Sequence, residues 1–148
     1  MRDTMVALAV LLGLASAGGT LTPAYPFGAL ALGTTGNVPD DGLAFAGNVK
    51  SATQDEANDK ALNACKGQAT TFPARKRAAA RCQVIATLNN QCYAFAEDPK
   101  DGTPGYGWAI ANDQDSANSQ AIANCKQTAG RSRQQYCKVD ASGCDKQN

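Results

Sequence analysis

None of the 148 residues is a histidine, and that single absence closes off several functions. General acid–base chemistry near neutral pH falls most often to histidine, so serine and cysteine triads of the usual kind are excluded. The chain also has no Cys-x-x-Cys, which removes the ordinary zinc spacings and argues against a redox-active dithiol. Aromatic residues make up only 6%, and the basic stretch from Lys66 to Arg81 contains one of them, Phe72, where a nucleic-acid surface needs cations interleaved with exposed rings. The net charge of +1 implies neither nucleic acid nor a membrane surface. No cysteine precedes Cys65, so a lipid-modified N-terminal cysteine is ruled out. The apolar run Met5 to Leu14 falls short of the about 20 residues that cross a bilayer, so no stable membrane anchor is expected.

What the chain does have follows from these shortages. With few rings and abundant alanine, its core must be built from small side chains, which bury little area per residue. Six cysteines compensate, since each disulfide adds about 2–4 kcal/mol to a small exported domain, mainly by restricting the unfolded chain. The N-terminus fits export: Met5 to Leu14 has the length of a signal h-region, and Ala15-Ser16-Ala17 presents small residues for cleavage after Ala17. Residues 1–17 are therefore read as a signal peptide, 18–26 as an arm kept irregular by Pro23 and Pro26, and 27–148 as one domain of two repeats, 27–91 and 92–148. The expected location is periplasmic or secreted.

The repeat rests on Ala57-Asn58-Asp59-Lys60-Ala61-Leu62-Asn63-Ala64-Cys65, which recurs as Ala117-Asn118-Ser119-Gln120-Ala121-Ile122-Ala123-Asn124-Cys125. Both copies put small apolar residues at i and i+4 and a cysteine at i+8, on one face of a helix. Thr53-Gln54-Asp55-Glu56 matches a capping box, Asp113 takes the N-cap role in the second copy, and Gly67 offers a stop for the first helix. Gly28 to Leu32 reads as a short strand, and Leu43-Ala44-Phe45-Ala46 alternates with period 2 so that its larger side chains share one face. Ala94-Phe95-Ala96 corresponds to Ala29-Leu30-Ala31, and Gly107 to Ala111 to Gly42 to Ala46. Pro73 bars a simple extension of the first helix, and Ala74 to Arg81 has room for a helical turn or two. Cys82 to Leu88 is the strand richest in β-branched residues, and Asn89-Asn90 suggests a hairpin into Cys92 to Ala96. The expected fold class is α+β: a tandem strand-strand-helix-strand repeat with antiparallel sheet, locked by disulfides.

Six cysteines allow fifteen connectivities, among which sequence alone does not choose. Duplication favours Cys65–Cys82 and Cys125–Cys137, each within a copy, and leaves Cys92–Cys144 to join the halves near a pseudo-twofold axis.

The pattern as a whole resembles the bacterial domain of unknown function DUF4189. The resemblance is carried by Phe27-Gly28-Ala29-Leu30-Ala31, the Gly42 to Ala46 strand, Thr53 to Cys65, Cys82-Gln83-Val84 with Asn90 and Cys92, Tyr106-Gly107-Trp108 and the Ala117 to Cys125 helix. It covers roughly residues 27–144, with a basic insert at 68–81 longer than is usual for the family. It implies an exported bacterial domain and transfers no catalytic residue.

Nine of the fourteen basic residues sit in two equivalent segments free of acids: Lys66, Arg75, Lys76, Arg77 and Arg81, then Lys126, Arg131, Arg133 and Lys138. Such segments are either a solvated face or a surface that receives an acidic protein. Of these, Arg75, Lys76, Arg77, Arg131 and Arg133 are the expected partner contacts. Asp40-Asp41 and Glu97-Asp98 lie in equivalent turns, as solvated turn formers or as the carboxylates of a cell-wall hydrolase. Gly105-Tyr106-Gly107 is too short for a phosphate loop and precedes a strand, and Trp108 reads as a packing residue more readily than as a ligand platform. The expected function is therefore non-enzymatic, with no cofactor and no metal: an exported binding protein acting by protein–protein contact, such as an immunity or inhibitor protein against a secreted toxin or cell-wall hydrolase. The alternatives are a secreted effector acting on another cell and a hydrolase built on those carboxylates.

Overall fold

The protein was analysed in a computed structural model that describes residues 26–146. The expected signal peptide, and all but the last residue of the expected arm, lie outside the described residues.

Alternation of small and large residues sets the architecture. In β1 (Phe27–Gly33), α1 (Val38–Asp41) and β2 (Ala44–Ser51), Ala29, Ala31 and Ala44 point to one side of the sheet, and Leu30 and Phe45 to the other. The alanine side receives α2 (Gln54–Thr71), which docks through Ala57, Ala61 and Cys65. After a 3₁₀ turn at Pro73–Arg75 and the one-turn α3 (Lys76–Ala79), β3 (Gln83–Asn89) returns to the free edge of β1, giving the antiparallel order β2-β1-β3. The second half repeats this with β4 (Cys92–Glu97), β5 (Tyr106–Ala111), α4 (Gln114–Thr128) and β6 (Lys138–Cys144), in the order β5-β4-β6. Here α4 docks on Ala94, Ala96 and Ala109 through Ala117, Ala121 and Cys125.

The large-residue faces of the two sheets meet each other. Leu30, Leu43, Phe45, Leu88, Tyr93 and Phe95 form a third cluster, in which Phe45 and Phe95 stack with ring centroids 4.2 Å apart and planes within 10°. The order of layers is helix, sheet, sheet, helix. Small residues at the helix–sheet contacts allow close approach: a Cβ on Gly107 would lie 2.3 Å from the Cys125 amide nitrogen.

Both long helices start as the capping pattern requires. The Thr53 hydroxyl accepts from the Glu56 amide at 3.2 Å, and the Glu56 carboxylate accepts from the Ala52 amide at 2.9 Å. Asp113 accepts from the Ser116 amide at 2.8 Å. The first helix does not stop at Gly67, whose surroundings are open, but runs four residues further to Thr71. It stops there because the residue before a proline is pushed out of the helical region, and Phe72 is extended.

The expected hairpin of the third and fourth strands does not form. β3 pairs with β1, while β4 pairs with β5 and β6. Asn90, at φ +53°, carries the chain across from one sheet to the other. The strand tendencies were local and correct, but each strand's partner was decided by which central strand had a free edge.

All six cysteines are bridged, as Cys65–Cys82, Cys92–Cys144 and Cys125–Cys137. The first and third bridges tie the end of each long helix to the chain entering the last strand of its half. The second does not join the halves: Cys92 and Cys144 are directly opposed on β4 and β6 of one sheet. Their counterparts in the first half are Phe27 and Asn89, opposed in the same way on β1 and β3.

The internal alignment also shifts. Thr128 Oγ1 accepts from the Tyr106 amide at 2.8 Å and donates to the Tyr106 carbonyl at 2.7 Å, while the Gln68 amide brackets the backbone of Phe45 in the same way. Phe45 thus corresponds to Tyr106, and Ala46, not Gly42, corresponds to Gly107. A second repeated device ties helix to sheet. The Gln54 amide donates to the Gly28 carbonyl and to Asn58, both at 3.0 Å, and the Gln114 amide donates to the Tyr93 carbonyl and to Asn118, both at 2.9 Å.

Candidate functional site

The residues singled out as partner contacts and those singled out as carboxylate pairs converge on one another. Strand β4 ends at Glu97, and successive side chains on an extended chain point to opposite faces, so Glu97 and the following Asp98 look in different directions. Each meets an arginine from a different basic loop. Arg75, from the 3₁₀ turn of the first half, lies 3.6 Å from Glu97. Arg133, from the loop after α4, makes a two-pronged bond to Asp98, with Nε and Nη2 each 2.6 Å from a carboxylate oxygen. The Asp98 side chain has no exposed surface.

These partners shape the acidities. Hydrogen bonding from Arg133 holds the Asp98 carboxyl below the usual aspartate range, with the Lys100 amide at 3.1 Å assisting. Glu97 moves the other way, raised chiefly by burial, with Asp140 and Asp101 adding to the effect and Arg75 opposing it. Asp41 is buried, accepts from the Thr35 hydroxyl at 2.6 Å and pairs with Arg77. Asp40 is exposed and accepts from the Asn37 amide at 2.7 Å, a turn-forming role.

Of the five expected contact residues, Arg75, Arg77 and Arg133 are therefore engaged with internal carboxylates, whereas Lys76 and Arg131 are exposed and form no ion pair among the described residues. Sequence reasoning weighed Phe72 only as a lone ring against nucleic acid and missed Tyr136. Among the described residues, Phe72 and Tyr136 are the large apolar side chains left exposed, each at 47%. Arg75 lies over the Phe72 ring at 4.8 Å and Arg133 over the Tyr136 ring at 4.1 Å, so each half carries one aromatic–arginine pair in the loop after its long helix. The spacing signal was present, since both rings lie three residues from the arginine that covers them.

Beside Arg75 the two halves leave a cleft of about 460 Å³. One wall comes from Pro39, Leu43 and Phe72 of the first half, the other from Pro99, Gly105 and Tyr106 of the second. Asp40, Glu97, Asp98 and Asp101 reach it, while Asp41 is not part of its lining. Among the described residues no group of three or more metal-ligating side chains gathers at one point.

This architecture, with its two cysteine-anchored helices and the Tyr106-Gly107-Trp108 strand, has a counterpart in a family model. The model of DUF4189, described as a domain of unknown function, matches residues 27–144. The chain belongs to this family. In the DUF4189 domain seen here the matched span starts at the first residue of β1 and ends at the last residue of β6, so it takes in both halves and all three disulfides. Searches of curated proteins and of solved structures return no match.

Proposed function

We propose that this DUF4189 protein is exported and works by contact with another protein, as an inhibitor or cognate immunity protein of a secreted toxin or cell-wall hydrolase. Three disulfides belong to an oxidising compartment, which for a bacterial protein means the periplasm or the exterior. Among the described residues no helix is long and apolar enough to cross a membrane.

The observation that carries the reading is the pair of exposed rings, Phe72 and Tyr136, each covered by an arginine and accompanied by an unpaired cation, Lys76 or Arg131. Aromatic residues and arginine are the types enriched at the energetic centres of protein interfaces, and free cations at the rim favour a partner acidic at the contact. One member of each candidate carboxylate pair, Asp41 of Asp40-Asp41 and Asp98 of Glu97-Asp98, is held by an arginine, which is why contact is preferred to catalysis.

The test begins by isolating the partner from periplasmic and culture fractions and measuring affinity by calorimetry. The double variant Phe72→Ala/Tyr136→Ala is expected to weaken binding by roughly 100-fold, since each interface anchor contributes about 1–2 kcal/mol or more. The variant Lys76→Glu/Arg131→Glu is expected to slow association and reduce its salt dependence. Unchanged affinity in both variants would remove this face from the proposal, and a partner whose activity is untouched on binding would remove the inhibitor role.

A further inference from the structure

We propose that the cleft between the two halves is a docking site for a lysine or arginine side chain presented on an extended peptide. This goes beyond the contact face above: the two share the Phe72 ring, but the cleft is defined by carboxylates that the outer face does not use. A cavity of about 460 Å³ has room for one long side chain and the backbone on either side of it. Its apolar walls, Leu43 and Phe72 facing Pro99 and Tyr106, suit the methylene stem that lysine and arginine bury while their charge seeks a polar end.

The polar end is negative. Asp98 is neutralised by Arg133 from outside the cleft, which leaves Asp40, Glu97 and Asp101 against Arg75 and Lys100. Arg75 is only partly engaged with Glu97: its guanidinium rests on the Phe72 ring, reaches Gln68 Oε1 at 3.4 Å, and stays 3.6 Å from the carboxylate. Glu97 is four-fifths buried and accepts no hydrogen bond within 3.5 Å among the described residues. Asp140 on β6 adds to the negative field at Glu97, and Lys138, directly opposite in register, makes no ion pair with it. A cationic donor entering the cleft can approach Glu97 more closely than Arg75 does and passes the faces of Phe72 and Tyr106 on the way. An anion would meet three carboxylates against two cations, and an apolar side chain would add no hydrogen bond to Glu97.

The test uses the full mature chain labelled with ¹⁵N and four capped tripeptides, glycine-X-glycine with X arginine, lysine, glutamate or leucine. The arginine and lysine peptides are expected to shift amides of residues 38–43 and 97–106 saturably, and the glutamate and leucine peptides to leave them in place. Glu97→Gln, close in size, is expected to weaken the arginine peptide roughly ten-fold through loss of a charge-assisted bond. Should that variant fold poorly, Asp40→Asn/Asp101→Asn, on exposed side chains, is expected to weaken it in the same direction. Lys76→Glu/Arg131→Glu is expected to bind the peptide unchanged, which separates this proposal from that of the outer face. It is overturned if the basic peptides move no cleft amide by about 20 mM, if the glutamate peptide binds as well, or if the carboxylate variants bind like the parent chain.

Discussion

Removing the disulfides one pair at a time should rank them by the length of chain that each closes. In the chain-entropy account a bridge stabilises by restricting the unfolded ensemble, and its effect grows with the logarithm of the loop. Cys65–Cys82 spans 17 residues, Cys125–Cys137 spans 12 and Cys92–Cys144 spans 52. Loops of those lengths give about 3, 3 and 4 kcal/mol at 25 °C, a combined effect comparable to the whole stability of an ordinary domain. The reduced chain should therefore not hold this fold, which ties folding to an oxidising compartment. The shortest bridge is nested inside the longest, so with it intact the effective long loop is about 40 residues, and the expected difference between the two is about 1 kcal/mol. The variants are paired Cys→Ala changes, which leave no free thiol. Equilibrium urea unfolding can be followed by the fluorescence of Trp108, the only tryptophan, half-buried on β5. With a slope of about 1.5 kcal/mol per molar urea, the Cys92→Ala/Cys144→Ala midpoint should fall roughly 0.7 M below that of Cys125→Ala/Cys137→Ala. If Cys92→Ala/Cys144→Ala is instead the most stable of the three, the unfolded-chain argument fails. The β4–β6 ladder, which already opposes these two residues, would then make their bridge redundant.

Two further outcomes follow from contacts on the helix side of the second sheet. Gly107→Ala drives a methyl into the backbone of α4 at Asn124–Cys125 and should cost about 1–3 kcal/mol, read as a lowered melting temperature; an unchanged melt would deny the close approach of α4 and β5. Asp98 ionises more readily in the fold than its ordinary value of 3.8, so its pair with Arg133 stabilises at and above that pH, and the stabilisation is lost as pH falls through the lowered folded value. Asp98→Asn should therefore destabilise the protein at neutral pH and flatten the acid limb of its stability curve; an acid limb as steep as the parent's would show that the pair does not control it.

How much of this was legible in the chain depends on how far each interaction reaches. Leu43-Ala44-Phe45-Ala46 revealed its two faces because the alternation is written in adjacent residues: alanine for a helix that must come close, large residues for the opposite sheet. The caps at Thr53 and Asp113 were equally local. Strand partnership was not, because nothing in β3 says that β1 has an edge open to it. The internal alignment slipped because glycines were matched to glycines, whereas the structural equivalence is carried by polar side chains, Gln68 and Thr128, clasping the backbones of Phe45 and Tyr106. The recurring Gln-Asp-x-Ala-Asn at 54–58 and 114–118 was visible and had a structural meaning, the clamp from each helix to its central strand.

The same limit explains why charge was the least legible feature. In the sequence, the basic segments and the acidic turns appear as separate blocks, and each invited its own function. Folding brings Arg133 onto Asp98 across 35 residues, Arg75 beside Glu97 and Arg77 onto Asp41, so part of each block becomes mutual neutralisation. What survives that cancellation in the loops and at the seam is a better guide than the blocks themselves: exposed cations such as Lys76 and Arg131, two rings too exposed to be core, and a partly buried carboxylate, Glu97, that Arg75 approaches only to 3.6 Å. Lys76 with Phe72 and Arg131 with Tyr136 lie in equivalent loops, and Glu97 at the seam between the halves. A single contact surface accounts for the loops, but Glu97 faces the seam, where Arg75 holds it only loosely. The outer face and the cleft share the Phe72 ring but not their charges, so reversing Lys76 and Arg131 should leave the cleft intact.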